Sequence, residues 1–226
     1  MNYALILAAG KGLRLGNKTP KQFLKVDDKP IFVYPLETFN NSKDIDSIVI
    51  VANEDYFSFI KDNAETYGIN KLIGIVQGGE SRQESVKRGL DYLSSFARDN
   101  DIILIHDSAR ALVNETIIHD NVLAMKKYDA VTTAIKASDT IISSKDGKGI
   151  GQALDRNELY LVQTPQTFRF KVIKEAHEKV QNSGFTDDSQ IVKQMGIEVG
   201  IVEGHKNNFK ITTIEDLENF KKIIRD

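Results

Sequence analysis

The chain has no cysteine and no tryptophan, and only four prolines and four histidines among its 226 residues. Without cysteine there can be no disulfide, no thiolate zinc site and no cysteine nucleophile. Such a composition suits a reducing cytoplasm. There is no excess of either charge: 30 Lys and Arg stand against 32 Asp and Glu, a formal net charge of −2. No overall basic field is available to draw in nucleic acid or an anionic membrane, so any anion site must be built locally. No run approaches the ~20 apolar residues that a spanning helix needs. The N-terminus enters a strand pattern at once, without the basic flank and apolar core of a signal peptide. The expectation is a cytoplasmic protein with neither a nucleic-acid nor a membrane partner.

What is present is an alternation of strand and helix. "YALILA" (3–8) is a short continuous apolar run, the mark of a strand buried on both faces, and "SIVIVA" (47–52), "KLIGIV" (71–76), "DIILIH" (101–106) and "AVTTAI" (130–135) repeat it. Between them, residues 81–97 carry Val86, Leu90, Leu93 and Ala97 on one helical face, with Ser81 and Glu84 spaced as a capping box. Asn114 is placed to cap a helix carrying Ile118, Val122 and Met125. Near the C-terminus Ile214, Leu217, Phe220 and Ile224 form one apolar stripe. This pattern predicts one α/β domain over residues 1–226, with a mainly parallel twisted sheet covered by helices on both faces. Residues 136–161 break the alternation: "DTIISS", "KDGKG" and "IGQAL" read as a hairpin with a glycine turn. A hairpin projecting from an α/β body exposes apolar residues, and a second subunit is the simplest cover for them.

Ligands of such sheets bind beyond the carboxyl ends of the strands, and the polar, glycine-rich motifs of this chain follow strand ends. After the first strand comes "AAGKGLRLG", then "PKQFL". Glycines there let backbone N–H groups face an anion. A dinucleotide fingerprint fails because Leu15 holds the third glycine position, and a Walker A loop fails because Asn17-Lys18 follows Gly16. Those failures argue against a nicotinamide oxidoreductase on a similar sheet. Arg14 and Lys21 remain as the cations a triphosphate requires beside a glycine loop. After the fourth strand, Asp107 stands at a carboxyl end suited to a Mg²⁺ that also holds triphosphate oxygens. His106 beside it reads as a structural histidine.

The string "LAAGKGLRLG…PKQFL" resembles the pyrophosphorylase-type nucleotidyltransferases, and "PKQFL" resembles their cytidylyltransferase branch. The likeness runs from Leu5 to Leu217. It is strongest to the enzymes that act on 2-C-methyl-D-erythritol 4-phosphate, with the ribitol-5-phosphate enzymes as near neighbours. It implies a Rossmann-like nucleotidyltransferase fold, CTP and a polyol phosphate as substrates, Mg²⁺ as cofactor, and a homodimer formed through the 136–161 arm. Nucleotide contacts are implied for Ala8, Ala9, Gly10, Lys11, Gly12, Gly79, Arg82, Ser85, Asp107, Ser108 and Arg110. Acceptor contacts are implied for Thr140 and Arg156, given across the dimer, and for Thr164, Thr186 and Lys210. Arg14, Lys21, Arg156 and Lys210 are the implied catalytic set. The chain departs from the family pattern at Ser108, where a smaller residue is usual, and at Ala111, which stands in place of a proline. Ala109 stands where ribitol enzymes usually carry valine. The implied reaction needs no nucleophilic side chain or general base, because a phosphate monoester is already an anion. A nucleotide-binding module without catalysis would not need both sets of phosphate-holding cations.

Overall fold

The computed structural model describes residues 1–10, 19–179, 185 and 187–225. In chain order its elements are β1 (Asn2–Leu7), β2 (Lys25–Val26), β3 (Lys29–Pro30), α1 (Val33–Asn41), β4 (Ser47–Ala52), α2 (Phe57–Thr66), β5 (Leu72–Gln77), α3 (Arg82–Leu93), β6 (Ile102–Asp107), α4 (Glu115–Ala124), β7 (Ala130–Lys136), β8 (Ile142–Ser143), β9 (Gln152–Ala153), β10 (Tyr160–Arg169), α5 (Phe170–Lys179), α6 (Asp188–Gln194), β11 (Gly200–Glu203) and α7 (Ile214–Arg225).

Seven strands form one sheet in the order β11-β7-β10-β6-β1-β4-β5. β1 pairs in parallel with both β4 and β6, so the chain winds outward on one side of β1 and then crosses to the other. That reversal opens a crevice beyond the carboxyl ends of β1 and β6. β10 runs antiparallel to both β6 and β7. The strand alternation sorts the core into two layers. Ile48 and Ile50 of β4 face Phe39, Leu104 and Ile118 on one side. Val49 and Val51 face Leu5, Val86, Leu90 and Ile173 on the other. A third cluster seats Phe220 of α7 against Val26, Ile31 and Ala111 beside the β2–β3 hairpin.

The five expected strands are all present, as is the hairpin: β8 pairs with β9 through Ile142↔Ala153 and Ser143↔Gln152. Two strands of the seven-stranded sheet escape the hydrophobic pattern. β11 is only four residues long. β10 contains Pro165, which ordinarily demotes a strand reading, and it is accommodated where the register shifts between Val162 and Gln166. The helix caps differ in one detail. The Ser81 side chain accepts from the Glu84 N–H at 3.0 Å, but Glu84 accepts from the Glu80 N–H rather than from Ser81. Asn114 caps α4 by accepting from the Ile117 N–H at 2.9 Å. Of the C-terminal stripe, Phe220 is fully buried while Ile214 is 65% exposed, because it opens the helix beyond the edge of its cluster.

A buried polar tie joins β6 to β10. The Asp107 N–H donates to Thr164 Oγ1 at 3.1 Å. The Thr164 hydroxyl then donates to His106 Nδ1, also 3.1 Å away, and His106 Nε2–H donates to the Arg110 carbonyl at 3.1 Å. The imidazole is wholly buried, and burial pushes its pKa down to about 4.

Two outcomes are expected. α3 lies close on the sheet at Gly89, where an added Cβ would sit 2.5 Å from Leu5 Cδ1 and 3.0 Å from Val51 Cγ2. Gly89→Val should therefore lower unfolding free energy by about 1–3 kcal/mol in a urea titration. For His106 the folded pKa lies below the unfolded value near 6.5, so the unfolded chain binds the extra proton first. Stability should thus fall as pH drops from about 6.5 to about 4, by about 3 kcal/mol for this group, then level off. Denaturation midpoints across that range should show the slope in the native chain and lose it in His106→Gln.

Candidate active site

A cavity of about 260 Å³ occupies the crevice, lined from β1 and its loop by Leu7, Ala9 and Gly10. Lys21 and Gln22, the turn from Gly79 to Arg82, Ser85, Asp107 to Ala109, and Lys210 complete its wall. Residues from five separated stretches of chain meet here because each follows a strand end or packs against one.

Lys21 opens a 3-10 turn, Lys21–Phe23, and is buried. The turn is fixed by Phe23, whose ring stacks on Tyr56 at 4.1 Å and meets Phe32 edge-on at 5.6 Å. Gln22 is the residue that sequence reasoning missed in this stretch. Its amide donates to the carbonyls of Ala8 at 2.6 Å and Gly10 at 2.8 Å, setting the path of the backbone as it leaves β1. The next turn approaches closely: a Cβ on Gly78 would overlap the Ala9 methyl, so this position admits only glycine. Ser85, at 4% exposure, accepts from the Gly79 N–H at 3.0 Å and donates to the Ser81 carbonyl at 2.9 Å. It lines the cavity and braces the glycine turn at the same time.

Asp107 ends β6 at the centre of the site. Lys210 donates to its Oδ2 at 2.8 Å, and Arg82 Nε approaches its Oδ1 at 3.4 Å. Burial would raise the pKa of this carboxyl, but Arg82, Lys210 and Arg110 hold it far below the usual carboxylate range. It is ionised at any working pH. Arg82 reaches in the opposite direction to Asp188, Nη1 to Oδ2 at 2.6 Å. Arg110 is committed to the backbone, donating to the carbonyls of Asn208 at 2.8 Å and Val162 at 3.2 Å. Its pKa is lowered by burial. Ser108 is buried, with its N–H on the Leu7 carbonyl at 3.0 Å. Ala111 is buried against the Phe220 cluster.

A second cavity of about 160 Å³ adjoins the first and shares Arg82, Asp107 and Lys210 with it; Arg110, Thr164, Gln166 and Asp187 lie on its far side. Asn208, buried and donating to Gln163 Oε1 at 3.1 Å and to the Thr164 carbonyl at 2.9 Å, ties the Lys210 segment to β10. It too escaped sequence reasoning, although it stands two residues before Lys210. Lys11, Gly12, Arg14 and Thr186 lie outside the described residues. Ala8 lies just behind the cavity wall, with its N–H on the Val51 carbonyl. Thr140 and Arg156 are exposed on the arm and line neither cavity. Near them Ile142, Ile150, Leu161 and Val162 are 42–73% exposed. Among the described residues no group of three or more His, Cys, Asp or Glu side chains could hold a metal ion by itself. No helix among the described residues is long and apolar enough to cross a membrane.

The site therefore offers two adjoining pockets around one ionised carboxylate, with Lys21, Arg82 and Lys210 about it. That is an arrangement for two anions held side by side. The family model of 2-C-methyl-D-erythritol 4-phosphate cytidylyltransferase matches residues 3–226. A protein of that name from Clostridium botulinum (strain 657 / Type Ba4) is 40% identical over 219 residues, covering 96% of this chain and 94% of its own. A ribitol-5-phosphate cytidylyltransferase from Streptococcus agalactiae serotype III is 34% identical over 227 residues, covering 99% and 95%. Among solved structures, the 4-diphosphocytidyl-2C-methyl-D-erythritol synthase from Anaerococcus prevotii aligns with a TM-score of 0.85 at 30% identity, over 100% of this chain and 98% of that one. With the family pattern spanning the whole described sheet and both pockets, the chain belongs to the 2-C-methyl-D-erythritol 4-phosphate cytidylyltransferase family.

Proposed function

We propose that this chain transfers a cytidylyl group from CTP to 2-C-methyl-D-erythritol 4-phosphate, giving 4-diphosphocytidyl-2-C-methyl-D-erythritol and pyrophosphate in the cytoplasmic non-mevalonate isoprenoid pathway. The observation that carries this reading is the pair of adjoining pockets that share Arg82, Asp107 and Lys210. CTP occupies the larger pocket and the polyol phosphate the smaller.

In this reading an oxygen of the acceptor phosphate attacks the α-phosphorus of CTP. The bond from that phosphorus to the β-phosphate oxygen breaks, and pyrophosphate leaves with the electron pair. The acceptor is already an anion, so no protein base is needed. The barrier is electrostatic: two anions must meet while charge builds on a crowded phosphorus. Lys21 serves the α-phosphate together with Arg14. The N–H groups from Ala9 through Gly12 hold the triphosphate. Gly79, Arg82 and Ser85 hold the nucleoside end, with Ser108 and Arg110 shaping the wall beside it. Lys210, Thr164 and Thr186 hold the acceptor. Mg²⁺ fits this donor set as an ion carried in by the triphosphate, which needs one or two protein carboxylates, and Asp107 is the carboxylate in position. It would neutralise charge on the phosphate oxygens.

Arg156 and Thr140 support a homodimer in this reading. They stand on an exposed arm with uncovered apolar side chains and line neither pocket of their own chain. A partner's arm would bring them to the acceptor.

Pyrophosphate release with CTP and Mg²⁺ tests the assignment, with methylerythritol 4-phosphate and ribitol 5-phosphate run in parallel. Release with the first acceptor alone is expected. Release with ribitol phosphate alone, as the streptococcal relative's name would have it, overturns the choice of acceptor but keeps the mechanism. Lys21→Ala should lower kcat about 10²–10³-fold, the scale of a lost transition-state donor. Lys210→Ala should act mainly on the acceptor KM. Mixing Arg156→Ala with Lys21→Ala chains should restore about a quarter of native activity at low acceptor concentration, since half the dimers would be mixed with one intact site each. No recovery on mixing would mean that Arg156 does not act across a dimer.

A further inference from the structure

Behind Arg82 lies a buried pair, His177 and Asp188. Asp188, the first residue of α6, has no exposed surface, and His177 of α5 is 4% exposed. His177 Nε2 stands 2.9 Å from Asp188 Oδ1, while Asp188 Oδ2 takes Arg82 Nη1 at 2.6 Å. Arg82 keeps Asp188 ionised against its burial. An ionised carboxylate can only accept, so Nε2 is the donor. His177 Nδ1 is buried without a partner among the described residues. Asp188 is held in turn by Gln166 of β10, whose Oε1 accepts from the Asp188 N–H at 2.9 Å.

The chain His177–Asp188–Arg82–Asp107–Lys210 thus runs from the interior to the floor of both pockets. Its distances are unequal. Arg82 is closer to Asp188, at 2.6 Å, than to Asp107, at 3.4 Å. An arginine facing a single buried carboxylate tends to close on it as a bidentate pair. Such a pair would draw the guanidinium out of the pocket wall and cover Asp107.

We propose that His177 and Asp188 are positioning residues that hold Arg82 back from Asp107, leaving the Arg82 guanidinium and the Asp107 carboxylate both presented to the two pockets that share them. Asp188 supplies the competing carboxylate, and His177 fixes the rotamer of that carboxylate by occupying its second oxygen. The inference rests on the cytidylyl-transfer reading for the identity of the acceptor, but not for the geometry.

The test compares the native chain with His177→Phe, His177→Gln and Asp188→Asn. Gln can place its amide nitrogen where Nε2 stands; Phe cannot. His177→Phe and Asp188→Asn should raise the KM for CTP and for the polyol phosphate about tenfold each, the scale of lost outer-shell support, because Arg82 lines both pockets. His177→Gln should return both KM values to near native. A merely structural histidine would lower the melting temperature in His177→Phe without moving either KM, and that result overturns the proposal. Equal impairment in His177→Gln and His177→Phe does so too. Asp188→Asn removes a buried counter-charge and could unfold the chain, so the two histidine variants carry the test alone if it does. If the native chain releases no pyrophosphate at all, that failure belongs to the functional reading. The positioning role is then read by calorimetry with inorganic phosphate: weaker binding in His177→Phe with recovery in His177→Gln supports it, and equal affinity in all three chains overturns it.

Discussion

The structure depends on keeping one buried carboxylate charged. Asp107 sits where water is scarce, and an ion there without partners would cost several kcal/mol. Arg82, Lys210 and Arg110 offset that cost, and each arrives from a different part of the chain. Removing the anion would leave those cations repelling one another; removing a cation would leave the carboxylate stranded. The pockets exist because the two demands are met together. A surplus of positive charge then remains for incoming phosphates, with Lys21 on the CTP side.

The sheet makes this meeting possible. Because the winding reverses at β1, the carboxyl ends of β1 and β6 face an open crevice rather than a helix. β10 fills the slot beside β6 and brings Thr164 under the Asp107 backbone. α7 packs on the β2–β3 hairpin, so the segment carrying Lys210 and the one carrying Lys21 share a cluster that includes Ala111. Alanine at that position packs against Phe220 and shows how the loop after Asp107 is held without the usual proline.

The cations and the carboxylate that line the pockets were legible in the sequence. Lys21, Gly79, Arg82, Asp107 and Lys210 lie in polar, glycine-bearing strings that follow apolar strands or match a family pattern, and that is a local signal. Residues that hold those groups were not legible. Gln22, Asn208, His177 and Asp188 work through bonds to partners 11 to 106 residues away, and a buried glutamine looks like any other in one dimension. The Asp188–Arg82 bond spans 106 residues. β10 was hidden for a different reason: its polar positions face neighbouring strands and α4, with Thr167 bonded to Asn121 and Gln166 to Thr132, so it lacks the continuous apolar run that marks a core strand. The stripe on α7 was legible as a helix but overstated by one turn, since amphipathic spacing does not say where a packing surface ends.

The slot taken by β10 also bears on how the chain is made. β6 and β7 are complete by residue 136, yet they are not neighbours; the strand that separates them is synthesised 24 or more residues later. Until it emerges from the ribosome, the nascent chain carries two open strand edges facing a gap of one strand's width. Such edges invite pairing with other chains. β10 closes both in one insertion, and it carries Thr164 into the site as it does so. A chain halted before residue 160 therefore lacks both the strand between β6 and β7 and the Thr164 wall of the smaller pocket.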